Sequence, residues 1–235
     1  MTPTWKATAE SLVADLRNAF GDRLRAVVAY GPLLEGNTQA PLTCLALVGS
    51  LSAEDLEACA KRAHRWNSMH VATPLIMPEQ EFIRSLDTFP LEYGEIIRTH
   101  SLVYGSDPFS GAAIATEDLR RACELQAKSH LVHLREAYIE TAGRPAAIAT
   151  LVTSAAPGFT ALLRNVARLN GVLTGDRVEV TRAGARAVGV PEGLVTEMLD
   201  MEHQRGVMAA DASRLFPEYL GAVEQLARAV DTWRT

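Results

Sequence analysis

The chain has 235 residues, 48% hydrophobic and 22% charged, with a net charge of −5 from 23 basic and 28 acidic residues. That length can bury a sizeable core in one or two domains without staples, and the acidic balance disfavours a general nucleic-acid binder, which carries a basic surplus. The three cysteines, Cys44, Cys59 and Cys123, are odd in number, widely separated and free of any CxxC spacing. They therefore read as reduced, mostly buried thiols of a cytosolic protein.

The chain opens with no basic region followed by an apolar stretch, so no secretory signal is expected and the location is expected to be cytoplasmic. Residues Trp5 to Phe20 read as an amphipathic helix, with Leu12, Val13, Leu16 and Phe20 at helical spacing and Gly21 as a stop. Leu24 to Tyr30 is a short strand ended by Gly31-Pro32, and Leu33 to Pro41 is a loop with turn chemistry at Glu35-Gly36-Asn37. Leu42 to Val48 is a second strand. Ser52, with Asp55 three residues on, caps a helix running to about Asn67. His70 to Met77 is expected as a third strand, Pro78 to Phe82 opens a helix, and Ser101 to Gly105 is expected as a fourth strand.

Strand signals end near Thr116. Glu117 to Thr141 is a long helix with Leu119, Cys123, Ala127, Leu131, Leu134 and Tyr138 on one stripe. Pro145 to Leu163 carries no charge and approaches membrane-spanning length. Its Ala, Thr and Ser content and the interruption at Pro157-Gly158 favour a pair of buried bundle helices instead. Shorter helices are expected over Arg182 to Val188, Glu192 to His203 and Phe216 to Trp233. The fold class is therefore α+β: a small mixed-sheet domain over residues 1–112, followed by an all-α helical bundle over 113–235.

Several segments carry a resemblance. They are Ala29-Tyr30-Gly31-Pro32, Leu42 to Val48, Phe89-Pro90-Leu91-Glu92 and His100 to Gly105, with Leu134 to Tyr138 and Phe159 to Gly171 in the bundle. Together they resemble a degenerate branch of the nucleotidyltransferase superfamily with a C-terminal helical bundle. Active members place a Gly-Ser turn before a strand bearing two alternating carboxylates, and a third carboxylate on a later strand. Alternate strand residues share a face, so such a pair can hold two Mg²⁺ ions against a triphosphate. Here Pro32 stands for the turn serine, Leu42 and Cys44 stand at the carboxylate positions, and the third strand offers His70, Ala72 and Thr73. A one-residue slip still finds no acid on the second strand, and Glu35 and Asp22 lie outside the required positions.

Other constellations read as structural. His130, His133 and Glu136 share one side of the long helix, with His203 the only distant addition, and a partly buried polar edge explains them. Arg135, Tyr138 and Arg164 could meet a phosphate or carboxylate, although ion pairs between helices are the commoner role. Ala185, Gly189 and Val195 have helix-turn-helix spacing, but Glu192, Glu197 and Asp200 would repel phosphates, so a bundle corner is favoured.

The resemblance thus implies a pseudoenzyme, a non-catalytic nucleotidyltransferase-like protein that binds a small ligand or partner in the interdomain cleft. Whether it is an enzyme stays open, with the missing carboxylates weighing against it. The ligand-binding residues it implies are Tyr30, Gly31, Thr43, Arg135 and Tyr138, with no catalytic residue, no metal and no cofactor. The partners expected are a small molecule or nucleotide, or a second copy of the chain; membrane is not expected, and nucleic acid is disfavoured. Two alternatives stand beside it: an antibiotic- or protein-modifying nucleotidyltransferase with carboxylates recruited from elsewhere, and a structural homodimer or antitoxin-like interaction protein.

Overall fold

The computed structural model describes residues 5–172, 175–203 and 209–233, with backbone alone at 202–203 and 209–210. Two compact units divide the chain, Met1–Ile114 and Ala115–Thr235.

In the first unit, α1 (Trp5–Phe20) buries Ala9, Leu12, Leu16 and Phe20, the apolar positions that recur at helical spacing. A 3₁₀ turn at Gly21–Arg23 leads into β1 (Leu24–Tyr30). Then follow β2 (Thr43–Val48), α2 (Ala53–Ala60), α3 (Ala63–Ser68), β3 (Leu75–Pro78), α4 (Glu79–Arg84), α5 (Pro90–Thr99) and β4 (Ser101–Gly105). The sheet order is β3-β2-β1-β4. Strand β1 runs antiparallel to β2 and β4, and β2 runs parallel to β3, so the sheet is mixed.

Two charged ties fasten the helices of this unit. Ser52 and Asp55 form a capping box at the start of α2, and Arg23 donates to both Asp55 oxygens at 2.7 Å. The bidentate guanidinium lowers the Asp55 carboxyl below its usual range. Asp15, buried on α1, accepts from Arg65 at 2.7 Å and from the Trp66 indole at 3.0 Å, which holds α3 against α1.

The second unit is all helical: α6 (Thr116–Glu140), α7 (Pro145–Leu169), α8 (Arg177–Val188), α9 (Glu192–His203) and α10 (Ala209–Thr232). Helix α7 is the centre and touches each of the other four. Val152, Ala156, Phe159, Leu163 and Val166 on it are fully buried. Among the described residues it is the one helix long and apolar enough to cross a membrane. Its burial against the other four is that of a core helix.

Five expectations from sequence are corrected. Helix α7 runs unbroken through Pro157, so the expected helix pair is one helix. A proline inside a helix costs roughly 3 kcal/mol, and burial against four neighbours outweighs it. The helix after Ser52 is divided into α2 and α3. The third strand begins at Leu75 instead of His70. His70 has φ +60° and closes α3: its N–H donates to Asn67 and that of Val71 to Trp66, a Schellman arrangement. The chain is still ending a helix where a strand was expected. Helices α8 and α10 start earlier than Arg182 and Phe216, and α5 was not anticipated. The signals were present, since Asp176 and Glu179 form a capping box for α8 and Pro90 opens α5.

Gly184 sets the distance between α7 and α8. A Cβ built there would lie 1.8 Å from the Leu163 carbonyl oxygen, whereas Gly221 on α10 has open space around it. Alanine is favoured over glycine inside a helix by about 1 kcal/mol, but overpacking costs about 1–3 kcal/mol or more. Gly184→Ala is therefore expected to lower the thermal midpoint and Gly221→Ala to raise it, as calorimetry would read. Equal shifts in both variants would contradict the close approach.

Candidate functional site

The candidate site lies where β1 turns into β2. Strand β1 ends at Tyr30, and Gly31 adopts φ +86°, a left-handed conformation that favours glycine. Tyr30 pairs with Thr43 across the antiparallel ladder, Ala29 with Cys44, and Val28 with Leu45. Thr43 lies against Gly31, with its Oγ1 3.8 Å from the point where a Cβ would be. Tyr30, Gly31 and Thr43, three of the residues expected from sequence to bind ligand, therefore meet at one strand end.

The loop between the strands uses most of its donors within itself. The N–H groups of Leu34, Glu35, Gly36 and Asn37 donate to the carbonyls of Gly31, Pro32, Leu33 and Pro32 at 2.9–3.3 Å. A phosphate cradle needs such N–H groups turned outward to the anion. Asn37 Oδ1 also accepts from the Gln39 N–H at 3.1 Å.

Alternation along β2 sends its residues into two cores. Leu42, Cys44, Ala46 and Val48 join Leu12, Leu16, Phe20 and Trp66 beneath α1. Leu45 and Leu47 join Val28, Met77, Phe82, Tyr93, Ile96 and Phe109 on the opposite face, with Tyr30 packed at the margin. The rings of Phe82 and Tyr93 stack at 4.5 Å and those of Phe82 and Phe109 approach at 5.2 Å.

Leu42 and Cys44, expected at the carboxylate positions, face α1 at 2% and 0% exposure. Thr43 and Leu45 are the alternating pair on the other face. Neither pair offers a carboxylate, and β3 supplies Leu75, Ile76, Met77 and Pro78. Asp22 sits on the 3₁₀ turn at the far end of β1 from Tyr30. Two magnesium ions need several hard oxygen ligands, and the strand provides one hydroxyl. Among the described residues no group of three or more His, Cys, Asp or Glu could hold a metal ion. The residues present do not fit the two-metal arrangement of active nucleotidyltransferases.

Tyr30 and Cys44 are both held in their protonated forms. Burial raises the Tyr30 phenol above its ordinary value, with smaller contributions from Cys44 and Tyr93. Burial pushes the Cys44 thiol up to about 12, which removes it as a thiolate nucleophile. Cys123 is pushed up to about 12 in the same way, Cys59 is also raised, and all three cysteines are free and buried.

The bundle residues expected at a ligand site make contacts inside the bundle. Arg135 donates to Glu224 at 2.7 Å. Tyr138 stacks on Phe216 at 4.0 Å with planes 10° apart. Arg164 is buried on α7. His130 turns inward to Tyr219, Nε2 to Oη 2.6 Å, whereas His133 points outward to Glu136 at 3.0 Å. The two histidines therefore do not converge on one ligand, and the His203 side chain lies outside the described residues. Gly189 caps α8 with φ +73°, and Leu194, Val195 and Met198 of α9 are buried, so Ala185, Gly189 and Val195 form a bundle corner.

No protein-family model matches the chain, and no curated protein sequence matches it. Among solved structures it is similar to spectinomycin adenyltransferase AAD(9) from Enterococcus faecialis, determined with ATP and spectinomycin. The TM-score is 0.57 at 11% sequence identity, over 98% of this chain and 100% of the other. The fold is nucleotidyltransferase-like. A likeness at that identity carries architecture, and function has to be argued from the site itself.

One titration in the bundle is measurable. Burial lowers His130 below its ordinary value, with a smaller contribution from His133. The unfolded chain then takes up this proton more readily than the folded one. The stabilisation is complete above the unfolded value of about 6.5 and is lost as pH falls through it toward the folded value. Denaturant midpoints should drop between about pH 7.5 and 5.5, and His130→Gln should flatten that drop. Parallel pH profiles for the two proteins would contradict the assignment.

Proposed function

We propose that this chain uses a nucleotidyltransferase-like scaffold to bind a small molecule at the β1–β2 strand end, without metal-dependent nucleotidyl transfer. The observation that carries the reading is the filling of β2 on both faces. Leu42, Cys44 and Ala46 fill one core and Leu45 and Leu47 the other, so the strand that would carry metal ligands carries core. Burying unpaired carboxylates in such surroundings is strongly unfavourable, and this packing favours their replacement.

What the strand end offers a ligand is neutral. The Tyr30 phenol stays protonated because burial raises it, and so donates a hydrogen bond. Thr43 adds a second hydroxyl, and Tyr30 packs against the aromatic cluster around Tyr93. Such a set suits an uncharged ring or sugar-like group better than a triphosphate. The solved neighbour was determined with ATP and spectinomycin, so nucleosides, nucleotides and aminocyclitols are the compounds to test first.

Titration calorimetry of that set, with and without Mg²⁺, separates this reading from an enzyme that recruits carboxylates from elsewhere. Binding is expected to be indifferent to Mg²⁺. Thr43→Val should weaken it roughly five- to tenfold, the effect of one lost neutral hydrogen bond. Tight binding of a nucleoside triphosphate only with Mg²⁺, followed by turnover, would defeat the reading.

A further inference from the structure

Helix α3 closes on a residue that resists the conformation it is given. His70 takes φ +60°, in the left-handed region, at the position where a helix end of this kind ordinarily carries glycine. Its N–H donates to Asn67 and the N–H of Val71 to Trp66, so the helix end fixes the backbone there. A side chain in this region carries a strain that glycine avoids, and such outliers collect where the side chain has a use. The imidazole has one. Its Nε2 lies 3.1 Å from the carbonyl oxygen of Gln39, in the loop between β1 and β2. A carbonyl only accepts, so Nε2 carries the proton and donates.

The backbone of His70 holds the same segment further along. The Leu42 N–H donates to the His70 carbonyl at 2.9 Å, and the Ala72 N–H donates to the Leu42 carbonyl at 2.9 Å, a single parallel bridge between Leu42 and Val71. His70 thus grips the chain on both sides of Ala40 and Pro41, by side chain at Gln39 and by main chain at Leu42. From the other direction Asn37 accepts from the Ala40 N–H at 3.0 Å through its carbonyl and from the Gln39 N–H at 3.1 Å through Oδ1. The next residue is Thr43, which pairs with Tyr30 and lies against Gly31.

We propose that His70 is a positioning residue for the β1–β2 strand end: its imidazole fastens Gln39, so the loop brings Thr43 to Tyr30 and Gly31 in one fixed arrangement. It acts through the loop and touches no ligand itself. Glycine would relax the helix end but has no side chain to reach the loop. The effect on binding rests on the ligand reading of the strand end given above; the tie between His70 and the loop does not.

Two substitutions separate the tie from the helix end. His70→Gly relieves the backbone and removes the donor. His70→Gln keeps an N–H donor at about the reach of Nε2 and keeps the strain. Hydrogen exchange of the full chain without ligand, read by mass spectrometry, follows the loop. In His70→Gly, residues 31–42 should exchange roughly fivefold faster, the effect of one lost neutral hydrogen bond. Strand Leu24–Tyr30 should keep the parent's rate, and the thermal midpoint should hold or rise. His70→Gln should keep the loop close to the parent and have the lower midpoint of the two. Loop order and stability then rank the variants in opposite directions, which a purely structural helix end would not produce. Calorimetry with adenosine and spectinomycin follows the site: whichever the parent binds should bind roughly three- to fivefold more weakly to His70→Gly and unchanged to His70→Gln. A loop as protected in His70→Gly as in the parent overturns the proposal, as does a loop loosened equally in both variants. A loosened loop with unchanged affinity overturns the positioning role. If the parent binds neither compound, the ligand reading of the strand end fails, and exchange still decides whether His70 orders the loop.

Discussion

Strand β2 is buried on both faces, and the rest of the first unit follows from that constraint. It pairs with β1 on one side and β3 on the other, so it has no free edge. Its alternate residues then feed two separate cores, one beneath α1 and one among Phe82, Tyr93 and Phe109. A strand in this position tolerates apolar residues throughout, because an ionised side chain on either face would lose its water without gaining a partner. The only polar positions left are at its start, where Thr43 meets Tyr30 and Gly31. Position in the sheet thus decides which chemistry the site can offer: hydroxyls at the margin and no carboxylates within.

Helix α7 plays the corresponding part in the second unit. It is surrounded by four helices, and its composition follows from that: almost no charge, many small residues, and enough apolar length to resemble a membrane span. Small residues bring helices close together. Gly184 lets α8 approach until the α7 backbone itself forms the contact surface. The same burial explains why Pro157 does not break the helix, because packing along its whole length resists local unwinding.

Much of this was legible in the sequence, and the exceptions have physical causes. Helix α1 and strand β1 could be read residue for residue, because their apolar periods are clean and Gly21 and Gly31 end them. The Ser52–Asp55 capping box was visible as a spacing and is formed as hydrogen bonds. Which residues of β2 face α1 was not legible, because an apolar run buried on both sides has no alternation to show it. The third strand was started too early because His70 takes a left-handed conformation more often given to glycine. Arg135 and Tyr138 could be placed on α6 from sequence, but their partners Glu224 and Phe216 lie far along the chain, and no local pattern announces them. The architecture is carried by patterning that tolerates substitution, which is why a likeness at 11% identity spans the whole of the solved neighbour.

The proposed absence of metal-dependent transfer is tested most directly by pyrophosphate release. The purified chain would be incubated with nucleoside triphosphate, Mg²⁺ or Mn²⁺, and aminocyclitol or protein acceptors, against a reaction containing chelator. A filled, carboxylate-free β2 predicts release no greater than in the chelated control, with every acceptor. Release that requires the metal and disappears on Thr43→Val, while the variant stays folded, would contradict the account, because it would place transfer chemistry at this strand.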